Sequence, residues 1–79
     1  MPEGVQGEPI PLPHLAEGRV ARVVRLDRVE SAATAHLVAL GVVPGAVLTL
    51  VQRYPAFVVR IGHAEFAMDK ELAGRIHVG

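Results

Sequence analysis

Residues 31–50, SAATAHLVALGVVPGAVLTL, hold in order the signals for a helix, a helix cap, a tight turn and a strand. Ser31 suits the N-cap of the helix, because its hydroxyl can accept a hydrogen bond from a backbone N–H of the first turn. Gly41 stands where a helix that ends at Leu40 needs a residue in the left-handed conformation. We therefore predict a helix over residues 31–40 with a capped end.

A turn and an apolar strand follow the helix. Pro44 and Gly45 fit the two central positions of a type II turn, because proline fixes its own φ and glycine accepts a positive φ. In the strand predicted next, residues 46–54, Leu48 and Leu50 share one face, while the other face is also apolar. Since a small barrel can bury only one face of such a strand, the helix or a partner must cover the other.

Seven residues of this stretch form the pattern LxxLGxxPGxxLxL, which runs from Leu37 to Leu50 and resembles the FeoA-like SH3-like domain. That family includes a small cytosolic partner of a ferrous-iron membrane permease, and it includes the C-terminal domain of DtxR-type metal-dependent repressors. The resemblance covers residues 15–78, from the opening GRVARVVRL to the close FVVRIGHAEFAMDKELAGRIHV. It implies a small SH3-like barrel.

The rest of the chain supplies strands on both sides of this stretch. Residues 18–26 are rich in valine and predict a strand, although their arginines recur every three residues, which is a helical spacing. Tyr54-Pro55 interrupts the sheet because proline cannot donate to a ladder, and Gly62-His63 fits a two-residue hairpin turn. The five predicted strands are residues 18–26, 46–54, 56–61, 64–68 and 75–78.

Together these elements predict a mainly β fold. The expected architecture is a small SH3-like five-stranded barrel with one α-helix between the first two strands. A short helical turn, residues 69–73, comes before the last strand and is capped by the Asp69 carboxylate. We expect the barrel to close its sheet edges, which would protect so short a chain from edge-to-edge association.

The distribution of proline predicts the domain organisation. Residues 1–13 contain four of the six prolines and show no periodicity, so they are predicted to be an extended Pro-rich tail or linker. The FeoA-like SH3-like barrel is assigned to residues 14–79, and no packed element is expected before His14. Residues 7–11, GEPIP, resemble the segment that leads into the C-terminal domain of DtxR-type repressors.

Length, net charge and composition make several classes of function improbable for this chain. The 79 residues suffice for one small domain, and a formal net charge of zero does not suit a free-standing nucleic-acid binder. The chain has no cysteine and no nucleophile beside a base in a recognisable motif, so we do not expect an enzyme. No apolar run reaches the roughly 18–20 residues that span a bilayer, and we expect a cytoplasmic protein without membrane insertion.

Metal-ligand candidates are few. No motif typical of metal sites includes any of the four histidines, His14, His36, His63 and His77. By the resemblance to DtxR-type repressors, Glu30 falls on a carboxylate that can contribute to an ancillary metal site, but the second ligand position of that site is Ala33 here. We therefore expect no cofactor in the isolated chain, and at most a divalent transition metal shared with a partner domain.

Tyr54, Pro55 and Phe57 are the predicted partner-binding residues. They interrupt the sheet at one end, where a barrel of this type commonly presents aromatic and proline side chains to a ligand. We expect them to form, with the apolar surface near the helix, the contact with another protein domain.

The leading hypothesis is a regulatory protein-interaction module of iron or manganese homeostasis, as the C-terminal domain of a DtxR-type transcriptional regulator. It would dock on the DNA-binding and dimerisation core of the repressor. An alternative is a stand-alone FeoA-like accessory protein that binds the GTPase domain of a ferrous-iron permease, and homo-oligomers are compatible with either placement. A third hypothesis, a small-barrel nucleic-acid-binding protein, has only three aromatic side chains and no concentrated basic surface to support it.

Overall fold

The computed structural model describes residues 8–79, and residues 1–7 of the predicted tail lie outside the described residues. Six strands form one sheet in this part of the chain. The strands are β1 (Ile10–Pro11), β2 (Val20–Leu26), β3 (Val47–Gln52), β4 (Phe57–Ile61), β5 (Ala64–Met68) and β6 (Ile76–Val78). The helices are a 3-10 helix (Leu12–His14), α1 (Ala32–Ala39) and α2 (Lys70–Ala73).

The strand order is β1-β6-β2-β3-β4-β5, and every neighbouring pair is antiparallel. β2 belongs to both halves of the sheet, because residues 20–22 pair with β3 and residues 23–26 pair with β6. The register of the second pairing shifts between Val23 and Arg25, and an irregularity of this kind bends a strand. The sheet therefore bends at β2, so that its two halves enclose the inner face between them.

The inner face of the sheet carries the hydrophobic core. Leu48 and Leu50 of β3 point into it, as their alternation predicts, and are 1% and 0% exposed. Further fully buried side chains are Leu12, Leu37, Val42, Val59, Ile76 and Val78. Residues from both ends of the chain thus share one core, and burial of their apolar surface is the main stabilising term in a small domain.

Helix α1 begins and ends as its capping residues predict. The Ser31 hydroxyl accepts a hydrogen bond from the backbone N–H of Thr34 at 3.1 Å. At the other end Gly41 has a φ of 103°, and the Val42 N–H donates to the Leu37 carbonyl at 3.0 Å, the bond of a Schellman cap. Val42 and Leu37 are both buried, so the cap also fastens the helix to the core.

The predicted tight turns are also present. The Ala46 N–H donates to the Val43 carbonyl at 2.9 Å across Pro44 and Gly45, and Gly45 has a φ of 94°, as a type II turn requires. Residues 62–63 join β4 to β5 as a two-residue hairpin loop. Local sequence signals therefore fix the connections that set the register of β3, β4 and β5.

The short helix α2 joins β5 to β6. The Asp69 carboxylate accepts a hydrogen bond from the Leu72 N–H at 2.8 Å, which is the predicted cap. Ala73 is fully buried, and Leu72 packs against the core from a half-buried position. One turn of helix is thus enough to attach this connection to the core.

The N-terminal segment departs from the prediction. Ile10–Pro11 form β1, which pairs with β6, and the 3-10 helix follows directly. Leu12 is 0% exposed and belongs to the core. The expectation of no packed element before His14 is therefore wrong. The described residues contain six strands where five were predicted, and α1 lies between the second and third of them.

The two edges of the sheet also differ from the prediction. β1 and β5 are the edges, and they do not pair with each other within residues 8–79. α2 carries the chain from β5 to β6, and β6 pairs with β2 and β1 on the far side of the sheet. The expectation that the barrel closes its edges is therefore wrong at β5.

Candidate partner-binding surface

Four strands form the side of the sheet that faces away from the core, which we call the outer face. Residues directly opposite each other in antiparallel strands point to the same side, so the register identifies the members of this face. Val20 pairs with Thr49, Thr49 with Arg60, and Arg60 with Glu65, which gives a row from β2 to β5. The outer face comprises Val20, Arg22, Val47, Thr49, Gln52, Val58, Arg60, Glu65 and Ala67.

Two valines dominate the exposed apolar area of the outer face. Val20 is 60% exposed on β2, and Val47 is 47% exposed on β3. Thr49 lies directly opposite Val20 and two positions along from Val47. The three side chains therefore form an apolar centre on neighbouring strands, and the buried centre of a protein interface is typically apolar in this way.

Charged groups around this centre already have partners. The Arg60 Nε donates to Glu65 Oε2 at 2.9 Å, across the pairing of β4 and β5. The Arg22 Nη1 donates to the Gly45 carbonyl at 2.8 Å. Burial of a charged group that has no partner costs free energy. Because these guanidinium groups are hydrogen-bonded within the domain, a partner can cover the valines without burying an unpaired charge.

Helix α1 does not cover the outer face. Its buried residues are Thr34 and Leu37, and the Thr34 hydroxyl donates to the Asp27 carbonyl at 3.2 Å. The helix therefore packs on the core, and the outer face is the apolar side of β3 that is open to a partner. A second apolar area lies at the end of α1, where the exposed fractions are 41%, 38% and 37% for Val38, Leu40 and Val43.

The structure separates the three predicted partner-binding residues. Tyr54 is 86% exposed, and Pro55 is exposed beside it in the loop between β3 and β4. Phe57 starts β4, is 7% exposed and belongs to the core. The prediction for Phe57 is therefore wrong, because its side chain points inward with Val59. For Tyr54 and Pro55, partner binding stays a prediction.

Arg53 fixes the start of the Tyr54 loop. Its Nη2 donates to the Pro13 carbonyl at 2.6 Å, and its backbone N–H donates to Glu17 Oε1 at 3.1 Å. The guanidinium carbon lies 5.9 Å from the centroid of the Phe57 ring, within the range of a cation–π contact. The loop is thus held against the N-terminal segment, with Tyr54 directed to solvent.

Glu30 lies just before α1 and does not face other candidate ligands. Its side chain is 73% exposed and pairs with Arg28 at 3.9 Å. No group of three or more His, Asp or Glu side chains in residues 8–79 could hold a metal ion. Glu30 therefore offers a single carboxylate, and its metal-binding role stays a prediction that needs ligands from outside the described residues.

One histidine forms a hydrogen bond with a carboxylate that the sequence did not indicate. The His77 Nε2 donates to Asp27 Oδ2 at 2.8 Å, and the His77 side chain is only 12% exposed. The hydrogen bond from His77 holds the pKa of Asp27 below its ordinary value of 3.8, against a partial desolvation that raises this pKa, and the charges of His77 and Arg25 each lower it further by smaller amounts. The pair joins the end of β2 to β6.

This pair predicts a pH dependence of stability. A carboxylate whose pKa is lowered in the folded state stabilises the fold above its unfolded pKa, and the contribution is lost as pH falls through the folded value. Asp27→Asn should therefore lower the urea midpoint at neutral pH, and the difference from the parent should shrink below about pH 4. A gap of constant size down to acid pH would contradict the role of the Asp27 charge.

Arginines elsewhere on the surface are mostly paired with carboxylates. These pairs are Arg25 with Asp27, Arg28 with Glu30, Arg60 with Glu65 and Arg75 with Glu71. Arg22 and Arg53 donate instead to backbone carbonyls. Most of the arginines thus have local partners, which does not favour the nucleic-acid hypothesis.

Residues 8–79 form no pocket. No helix among the described residues has the length and apolar character needed to cross a membrane.

Comparison with known proteins supports the resemblance noted in the sequence. A model of the FeoA domain family matches residues 10–79. The chain is similar to the crystal structure of an iron uptake regulatory protein (FeoA), with 29% identity and a TM-score of 0.80, over 92% of this chain and 97% of that chain. A search of curated proteins gave no significant match.

Two further structures are similar. The Stenotrophomonas maltophilia FeoA, solved with zinc, has 25% identity and a TM-score of 0.80 over 89% of each chain; it is described as a prokaryotic SH3 domain protein and proposed as a ferrous iron transport activating factor. T. acidophilum IdeR shares the fold, at 20% identity and a TM-score of 0.80, over 91% of this chain and 34% of that chain. The predicted mainly β, SH3-like fold is thus confirmed, and the chain belongs to the FeoA domain family.

Proposed function

We propose that this domain is a protein-interaction module of transition-metal homeostasis that acts as a FeoA-type accessory protein of ferrous-iron transport. The outer face carries the proposal, because Val20 and Val47 are 60% and 47% exposed on neighbouring strands. Burial of such side chains against a partner removes apolar surface from water and is favourable. The proposed partner is the cytosolic GTPase domain of a ferrous-iron permease.

Similarity to the two FeoA proteins supports this placement. It extends over 97% and 89% of their chains, at 29% and 25% identity. One of them is proposed as a ferrous iron transport activating factor. A role of that kind requires contact with a transport protein, and the outer face offers an apolar centre with bonded charged groups around it for such a contact.

Packing of the N-terminal segment bears on the choice between placements. Residues 7–11 resemble an interdomain segment of DtxR-type repressors. Ile10–Pro11, however, form β1 and pair with β6, and Leu12 is part of the core. The packing of this segment within the domain already explains its sequence. Its resemblance to the repressor segment therefore no longer favours assignment of the chain as the C-terminal domain of a repressor.

A second candidate is the C-terminal domain of a DtxR-type repressor, which the shared fold with T. acidophilum IdeR supports. The outer face would then dock on the DNA-binding and dimerisation core of the same chain. Glu30 would add one carboxylate to a divalent metal site completed by that core, and its 73% exposed side chain is within reach of another domain. Ala33 supplies no second ligand to such a site.

A binding measurement separates these placements. The purified chain is titrated by calorimetry against the permease GTPase domain and, separately, against a DtxR-type DNA-binding and dimerisation core. We expect saturable binding to the GTPase domain. Val20→Glu should weaken it by about tenfold or more, because a charge would be buried without a partner in the apolar centre of the contact.

Val29→Glu is the matched control. Val29 is 63% exposed, close to the 60% of Val20, but it lies between β2 and α1 and outside the outer face. The control should bind like the parent. Binding to the repressor core alone would favour the second candidate, and equal affinities of Val20→Glu and the parent would show that the outer face is not the contact.

A further inference from the structure

The two edges of the sheet are protected to different degrees. β1 is two residues long and contains Pro11, which has no N–H to offer to another strand. β5 is five residues long, with the sequence AEFAM, and contains neither proline nor lysine. It pairs with β4 along its whole length without a bulge. Apart from the single charge of Glu65, β5 thus lacks the devices that usually block an edge strand from pairing with another chain.

The β4–β5 hairpin determines which backbone groups of β5 point outward. Ile61 and Ala64 close a two-residue loop, so they exchange hydrogen bonds with each other. Hydrogen-bonded and non-hydrogen-bonded pairs alternate along an antiparallel ladder, which makes the next pair, at Glu65, non-hydrogen-bonded. The N–H and C=O groups of Glu65 and Ala67 therefore point away from β4. They have no backbone partner among residues 8–79.

We propose that β5 pairs with β5 of a second copy of this chain, antiparallel about a two-fold axis centred on Phe66. Glu65 of one copy then lies opposite Ala67 of the other. Both residues present outward N–H and C=O groups, so the pairing makes four hydrogen bonds. This interface lies at the sheet edge and is independent of the proposed partner contact on the outer face.

Charge selects this register over its neighbours. A two-fold axis that keeps the two sheets facing the same way can be centred on Glu65, Phe66 or Ala67. Centring on Glu65 sets two carboxylates directly opposite each other, and centring on Ala67 sets Glu65 opposite Asp69. Like charges directly opposite are destabilising in a sheet. Only the register centred on Phe66 avoids both clashes.

The same register suits the inner face. Phe66 points to the core side with Met68 and is only half-buried within one copy. A non-hydrogen-bonded pair brings its two side chains close together, so the two Phe66 rings can cover each other's exposed edge. The two outer faces would then lie side by side, each formed by strands β2 to β5 of its own copy and joined through the paired β5 strands.

Opposite charges at position 67 test the register. Sedimentation velocity of the chain over a concentration series should show a reversible monomer–dimer equilibrium. Ala67→Lys places a lysine opposite Glu65 of the other copy at two symmetric positions and should tighten the dimer. Ala67→Glu places a glutamate there and should weaken it. Each change in Kd should be about 2- to 30-fold, from two cross-strand pairs.

Ala67→Pro tests edge pairing by itself. The proline removes an N–H that points to the other copy and leaves the β4 ladder intact, so the variant should fold and sediment as a monomer. Circular dichroism verifies the fold of all three variants. A parent chain that stays monomeric at millimolar concentration, a dimer that persists in Ala67→Pro, or weakening by both charged variants would each overturn the proposal.

Discussion

Phe57→Ala is expected to lower the free energy of unfolding by about 3–5 kcal/mol, the usual cost of removing a buried aromatic side chain. Phe57 is 7% exposed and packs in the core beside Val59 of the same strand. Its ring also lies 5.9 Å from the Arg53 guanidinium carbon, so the substitution removes that contact as well. Chemical denaturation of the variant measures the loss.

Tyr54→Ala provides the contrast, three positions earlier in the chain. Tyr54 is 86% exposed, so its removal should change stability by no more than about 0.5 kcal/mol. A structure in which both aromatic residues formed a partner surface would make the two variants equally stable. Equal denaturation midpoints for Phe57→Ala and Tyr54→Ala would therefore contradict the placement of Phe57 in the core.

Leu12→Ala is expected to cost about 2–5 kcal/mol, as for other fully buried leucines. Leu12 is 0% exposed, although it lies in the part of the chain whose composition suggested a tail. The 3-10 helix that contains it packs between β6 and α2, so an empty cavity would remain where its side chain was. The same denaturation experiment measures this loss.

Ile10→Ala is the matched control for Leu12→Ala. Ile10 lies two positions earlier on β1 and is 37% exposed, so its truncation should cost clearly less. If Leu12→Ala were as stable as the parent, the N-terminal segment would not belong to the core, and the domain would begin at His14 as the sequence suggested.

The parts of the fold that were predicted correctly depend on interactions between residues close together in the sequence. The two caps of α1 at Ser31 and Gly41 and the turn at Gly45 are each closed by a hydrogen bond between residues at most five positions apart, so they can be recognised in a short window of sequence. The alternation of Leu48 and Leu50 likewise predicts the buried side of β3 without knowledge of its neighbours. These features gave the helix, the turn and the central strand correctly.

Features that depend on distant pairing were missed. β1 exists because Ile10 pairs with Val78 near the other end of the chain, and its proline content masks the short strand. Asp27 and His77 are fifty positions apart, so no local sequence pattern predicts their hydrogen bond. In both cases the missing information is the position of β6, which only the folded sheet provides.

The candidate site shows the same limit. Because Phe57 follows the bend at Tyr54-Pro55, we expected it to lie on the surface with Tyr54. The pairing of β4 with β5 instead places the Phe57 side chain on the core side of the sheet. The sequence did indicate that one side of β3 needs a cover other than the core. It could not show that Val20 would join Val47 there, because the two residues meet only through the pairing of β2 with β3.

Backbone amide NMR spectra of the isotope-labelled chain, recorded as the permease GTPase domain is added, test the central claim most directly. The claim is that the outer face contacts this partner. We predict that the largest changes in chemical shift or line width occur at Val20, Val47 and Thr49. Changes confined to the Tyr54 loop or to the end of α1, with these three amides unaffected, would contradict it.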